Sequence, residues 1–490
     1  MIEPGRFILL GKEGSLAEVA WDGNQLDKLW RYNQHYFDDL NARDAHVRIG
    51  WHRNLIADWL AHNQPTQGTG WEPYPTSLRI VNWVKWHLNG NLGDDQMRQS
   101  LALQARWLSL NVEFHLLGNH LVSNAKALVF AGCFFEGSEA DKWRAIGLSI
   151  LHRELDEQIL SDGGNFERSP MYHALGLEDI LDLINLANTY PSLIEPALAN
   201  TWRNISEKMY NWLDAMTHPD GEIAMFNDAA QDVALKTDEL QQFAEQLGVF
   251  LRDVGSARTA NGVTHLHESG YVRLEMSDAC AIMDVAPLGP DYLPAHGHAD
   301  TLSFEASILG ERVIVNGGTS CYGLSKLRTW ERGTSAHSTV VVNGADSSEI
   351  WSGFRVARRA YPFDLVISEQ ESHFGVTCSH DGYKRLKGSP VHRRSLGLRK
   401  NELEIVDSII GPYRTATAKF LLHHLVTVSQ ISQNCFMLRL SSGKVVRFEV
   451  MEGRARLVVG SHAVRFGELL PTSAINIELV DSKSRVQLSW

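Results

Sequence analysis

Apolar residues recur at helical spacing from about residue 45 to 250, and at every second residue from about 265 to the end. The first pattern predicts helices near 45–62, 76–89, 95–111, 113–135, 139–160, 174–188 and 193–216. Short polar breaks such as Pro65-Thr66-Gln67-Gly68 and His218-Pro219-Asp220-Gly221 separate them, so successive helices should lie antiparallel. The second pattern predicts strands, among them Tyr271–Glu275, Glu402–Val406 and Val445–Val450. A polar, glycine-bearing stretch at 252–264 marks a linker between the two textures. The expected organisation is an extended arm at 1–44, a helical domain at 45–251 and an antiparallel β-sandwich at 265–490.

One stretch near the start of the β part breaks the alternation with chemistry. His296, His298 and Asp300 occupy every second position, and an extended chain would point all three to one face. A hairpin should follow, with its turn at Leu309-Gly310-Glu311. Grouping two imidazoles and a carboxylate is costly unless they bind a metal, a ligand or one another.

Composition narrows the field. The chain has 490 residues and a formal net charge of -12, which argues against a nucleic-acid partner. No apolar run is long enough to span a bilayer. The N-terminus lacks the basic and apolar regions of a signal peptide, which leaves a cytoplasmic location open. Five scattered cysteines suggest neither a disulfide framework nor a zinc ribbon. Fourteen tryptophans suit sugar rings as well as cores.

Four further groups carry polar residues where patterning does not ask for them. Asn119, His120 and Asn124 lie on a helix with an apolar stripe of Leu117, Leu121, Ala125 and Leu128. In Phe166–His173, Ser169 can cap a helix that begins at Pro170, which places Tyr172 in the first turn, where it can act as a base. Arg79, Trp83 and Trp86 share one helix face after Trp71, a pattern read either as a sugar platform with a carboxylate-binding arginine or as core. His298, an oxygen at Asn316 and His337 offer three ligands for a metal, although Asn is a weaker zinc ligand than Asp; the alternative is a hydrogen-bonded brace.

Taken in order, GNHLVSNAKAL, FERSPMYH and HGHADTLSFE resemble the heparinase II/III-like family of polysaccharide lyases, over about Tyr32 to Arg359. The resemblance implies an α+β multidomain fold, with an incomplete α/α toroid followed by an antiparallel β-sandwich. It implies β-elimination on an acidic, uronic-acid-containing polysaccharide, in a cleft between the domains. Asn119 and His120 then neutralise the substrate carboxylate, Tyr172 is the catalytic tyrosine and His296 the catalytic histidine. Arg79, Trp83, Trp71, Glu167, His173 and Arg332 are expected to bind substrate, and His298, Asn316 and His337 to hold one structural zinc. Family members are mostly secreted or periplasmic, so the resemblance implies a periplasmic location.

Two other functions stay open on residue types alone. A glycoside hydrolase needs two carboxylates about 5–10 Å apart, for which Glu72, Glu167 and Asp228 are candidates. A non-catalytic protein that binds glycans or assembles polysaccharides would need only the fold and its aromatic residues.

Overall fold

The computed structural model describes residues 1–91, 93–249 and 261–490. The chain divides into two compact units, one of residues 1–158 and 179–203, the other of 159–178 and 204–490. Most of the linker expected at 252–264 lies outside the described residues, and Asn261–Leu266 is a strand.

In the first unit the expected arm is folded rather than extended. Arg6–Leu9 pairs with Lys12–Ser15. Lys28–Gln34 is a helix whose first turn is capped by Asp27, which accepts from the Trp30 amide at 2.9 Å. Burial of Trp30 outweighs the lack of a long apolar period here. The helices that follow are Ile49–His62, Pro73–Leu88, Asp95–Leu110, Gly118–Phe134 and Ser138–Gln158. Their starts are written locally: Pro73 opens one, and Asp94 caps another by accepting from the Met97 amide at 2.8 Å. Leu117 does not join the apolar stripe. It precedes the Gly118 helix with φ +62° and is exposed. Lys126 is buried, yet it stays charged because Asp179 and Asp182 outweigh its loss of water.

The helix Pro170–Thr189 begins in the second unit. The rest of that unit is mainly antiparallel sheet. A five-stranded sheet takes Asn261–Leu266, Tyr271–Met276, Ala279–Asp284, Phe304–Ile308 and Glu311–Ile314 in chain order. An eight-stranded and a four-stranded sheet use the later strands. Val391–Arg399 and Glu402–Ile410 alternate buried and half-buried positions, as the sequence predicts for strands with one face on a core. Leu274, Phe304, Leu396, Ile405, Phe420 and Phe448, drawn from all three sheets, share one apolar core. Inside it Arg394 is paired with Asp407 and also donates to the carbonyls of Leu302 and Ser338, at 2.8 and 2.6 Å. Those bonds fix the loops next to the polar stretch at 296–300.

Each unit also encloses a neutral histidine. Burial lowers His35 to about 3 and His173 to about 4, against an ordinary value of 6.5. A histidine with a lowered folded value gives full stability above its unfolded value, and that stability is lost as pH falls toward the folded one. The melting temperature should therefore fall between pH 6.5 and 4, before most carboxylates titrate. A melting temperature constant from pH 7 to 5 would show that these two rings do not couple folding to protons.

Candidate active site

The stretch with His296, His298 and Asp300 is not a strand. It is a turn-rich loop held from outside by Asn227 and Asp228. Asn227 accepts from the His298 amide at 3.0 Å and gives its own amide to Asp300 at 3.2 Å. The Asp228 amide donates to the His296 carbonyl at 3.0 Å. Gly297 is required between the histidines, because a Cβ there would lie 2.6 Å from the Leu288 carbonyl oxygen. The three side chains consequently part: His296 is half-buried, while His298 and Asp300 are enclosed. Arg168, Asn227 and Leu302 all carry left-handed backbone, with φ of +58°, +55° and +61°. Strained residues around one loop are a known companion of functional sites.

Asp228 is the centre of the arrangement. Its carboxylate takes both terminal nitrogens of Arg328, and it also meets His296 Nδ1 and His298 Nε2, each at 2.8 Å. Burial alone would push its carboxyl up, but the Arg328 charge and the two imidazole bonds hold it well below the usual carboxylate range. An ionised Asp228 accepts, so His296 carries its proton on Nδ1 and presents a lone pair at Nε2. Glu167 Oε2 lies 3.7 Å from that Nε2. The Tyr172 ring packs on His296 with centroids 4.2 Å apart. Its place follows from the local sequence: Pro170 opens the helix, and the Ser169 hydroxyl accepts from the Tyr172 amide at 3.2 Å. The Tyr172 and Tyr322 hydroxyls are 2.9 Å apart. Burial and the Asp228 charge raise Tyr322 well above the ordinary tyrosine value, so Tyr322 keeps its proton. Arg328 lies over the Tyr322 ring at 4.9 Å, which holds that side of the site in place.

The helical unit carries its own polar group. His120 Nδ1 meets Glu113 Oε2 at 3.1 Å, and Asn124 binds the same carboxylate at 3.1 Å while accepting from the Glu113 amide at 2.9 Å. Glu113 thus orients His120 as Asp228 orients His296. The His120 ring lies against Tyr74 at 4.5 Å, and Asn119 bonds the Tyr74 hydroxyl. Asn119 and His120 are both half-buried, open to a ligand on one side.

Several expected substrate contacts are instead internal supports. Trp71 and Trp83 are 2% and 0% exposed and pack on Trp59, which leaves no face for a sugar. Arg79 is likewise enclosed: it donates to Gln104 at 2.9 Å and lies over Trp59 at 4.0 Å. Helical spacing placed Arg79, Trp83 and Trp86 on one face, and that face is the core. Arg79→Ala should therefore lower the melting temperature by opening a hole in the tryptophan cluster, and leave KM unchanged. A raised KM at unchanged stability would restore Arg79 to the substrate. His173 accepts from the Asn165 amide at 3.2 Å and donates to the Met209 carbonyl at 2.8 Å, so it braces the chain ahead of the helix. Arg332 is fully buried and donates to the carbonyls of Pro294, Gly297 and Ser352. It shapes the His296 loop from beneath and has no free donor face toward a ligand.

The expected zinc set does not fit. His298 Nδ1 and His337 Nε2 are 3.2 Å apart, which alone would suit two ligands of one ion. Asn316, however, uses its amide oxygen on the Ser338 amide at 3.1 Å and its nitrogen on Ser303 at 3.2 Å. The Asn316 amide is thus occupied on both its atoms, and both rings are sealed from solvent. A direct imidazole–imidazole hydrogen bond occupies the two facing nitrogens without an ion.

Sequence reasoning did not assign roles to Glu113, Tyr322 or Arg328, and considered Asp228 only as a hydrolase carboxylate. An acid within the apolar run Ala224-Met225-Phe226-Asn227-Asp228-Ala229-Ala230 was the available signal for Asp228.

Comparison with known proteins bears on the family and the fold. The family description Heparinase II/III N-terminus matches residues 56–253, and Heparinase II/III-like, C-terminal matches 258–490. A heparin-sulfate lyase of Bacteroides stercoris is 24% identical over 336 residues, covering 65% of this chain and 47% of that protein. One of Bacteroides thetaiotaomicron is 25% identical over 410 residues, 73% of this chain and 55% of that protein. The chain spans about half the length of these curated relatives. Among solved structures, a heparinase III superposes with a TM-score of 0.78 at 21% identity, covering 98% of this chain and 79% of that one. A chondroitinase AC lyase does so at 0.58 and 11% identity, covering 96% and 78%. At these identities the structures speak for the fold.

Proposed function

We propose, on the premise that this chain belongs to the heparinase II/III-like family, that it is a polysaccharide lyase cleaving a uronic-acid-containing glycan by β-elimination. In the same reading the helical unit is an incomplete α/α toroid and the sheets form a β-sandwich. One observation carries the chemistry: a tyrosine packed on a histidine whose tautomer is set by a buried, ionised aspartate.

The C5 proton of a uronate is weakly acidic while its carboxylate is charged. The Asn119 amide and the His120 imidazole, oriented by Glu113, are the donors that stabilise charge building on that carboxylate. His296 Nε2 accepts the C5 proton. The electron pair forms the C4–C5 double bond, the C4–O4 bond breaks, and the Tyr172 hydroxyl protonates the departing oxygen. Tyr322, which keeps its own proton, hydrogen-bonds Tyr172 and holds its hydroxyl in place.

A hydrolase is disfavoured by the state of the carboxylates. Asp228 is locked ionised by Arg328, so it has no proton to give a leaving group. Glu72 is engaged by Tyr32 and Lys28. The test is incubation with a panel of uronate glycans, heparan-type chains first because the relatives are named heparin-sulfate lyases. A lyase produces the ultraviolet-absorbing unsaturated uronate; a hydrolase produces reducing ends without it; a binding protein produces neither.

A further inference from the structure

Away from this site, the second unit holds three histidines with no role in the chemistry above. His423 and His424 follow the strand Ala416–Leu421, and His462 lies on the strand Arg454–Arg465. Each ring offers one nitrogen within 4.8 Å of a nitrogen on both of the others, and among the described residues this is the one such cluster of metal-ligating types. His424 Nδ1 and His462 Nδ1 are 3.1 Å apart. Two nitrogens on a tetrahedral ion, each about 2.0–2.1 Å from it, lie at about that spacing.

The surroundings are built. The His423 amide donates to the Val313 carbonyl at 3.1 Å, and the Leu422 amide to the Ser473 carbonyl at 3.0 Å. The Ala463 amide, next to His462, donates to the Gly317 carbonyl at 2.7 Å. The rings are thus presented by anchored backbone rather than by a loose loop. His462 is fully buried. The His423 Nδ1 is engaged only by the Leu425 amide at 3.4 Å. His423 and His424 are half-exposed, which gives an ion a route in and leaves a position for water. Two half-exposed rings set the cluster apart from the sealed His298–His337 pair.

We propose that His423, His424 and His462 form a binding site for a divalent transition-metal ion of the zinc class, with water in the fourth position. Three neutral imidazoles suit zinc, cobalt, nickel and copper, and not calcium or magnesium, which take oxygen ligands. All three rings are held below the ordinary histidine value, chiefly by burial, with His424 adding to this for His423, and both His423 and His424 for His462. They are therefore in the ligand-competent form at neutral pH. The ion would pin the segment after Ala416–Leu421 to the strand that bears His462, and so stabilise this part of the β-rich unit. Arg312 lies near the rings, but it is paired with Asp220 at 2.9 Å, which offsets its repulsion of a cation.

The experiment is titration of the chelator-stripped full chain with cobalt(II), read by its visible ligand-field absorption, followed by displacement with zinc. We expect one equivalent bound in a tetrahedral spectrum, a raised melting temperature with zinc, and loss of both in His424→Ala and His462→Ala. His424 is half-exposed, so its variant should fold even if the His462 variant does not. His152→Ala, which removes an exposed histidine, should bind as the parent does. No tetrahedral cobalt spectrum in the parent, or an unchanged spectrum in folded His424→Ala, overturns the site.

Discussion

Tyr172→Phe is expected to lower turnover on a cleaved glycan by at least ~10²-fold, the usual contribution of a positioned proton donor. The fold should survive, because the ring still packs on His296 and the helix start depends on Ser169 and the backbone. KM should change little, since the hydroxyl acts on the leaving oxygen in the transition state and adds little to ground-state binding. The measurement is steady-state kinetics beside a melting curve. Near-parental turnover would remove Tyr172 from the mechanism and leave His296 to handle both protons.

Asp228 should give the largest combined effect. Asp228→Ala leaves Arg328 enclosed without its carboxylate and frees both His296 and His298 from their partner. Breaking a buried pair by removing one member costs about 3–5 kcal/mol. Loss of activity in that variant would say little by itself, so Asp228→Asn is the informative one. The amide keeps the volume, but it no longer requires a proton on His296 Nδ1. Neutralising the carboxylate that orients a catalytic histidine lowers turnover by about 10⁴ in the best-studied Asp–His pair, and a drop on the order of 10³–10⁴ is expected here. A positioning role further predicts a shifted pH–rate profile in Asp228→Asn, which a purely structural role would not produce. A folded Asp228→Asn with parental kcat and an unchanged profile would refute it.

Much of this was legible in the sequence because it is encoded locally. The change from helical to alternating periodicity, the Ser169–Pro170 helix start and the hairpin at Leu309–Gly310 each depend on neighbours within a few residues. The association of Tyr172 with His296 was reached through motif resemblance, because the two are distant in sequence and their contact is tertiary. What patterning could not give was direction. Arg79, Trp71 and Trp83 sit where a platform would, but spacing names a face without saying whether it meets solvent or core. Alternation at His296, His298 and Asp300 suggested a strand, whereas bonds from Asn227 and Asp228, some seventy residues earlier, turn the chain into a loop. Asp228 itself gains its meaning from Arg328, which lies 100 residues away, and from His296 and His298. Long-range ion pairs of this kind leave no local periodicity to read.

The most direct test of β-elimination is a matched pair of substrates: a uronate glycan that the protein cleaves, and the same glycan with its carboxyl groups reduced to alcohols. The proposed chemistry needs the carboxyl to acidify C5. The account predicts rapid formation of the unsaturated uronate chromophore from the first and no chain cleavage of the second. Cleavage of the reduced glycan at a similar rate would contradict it.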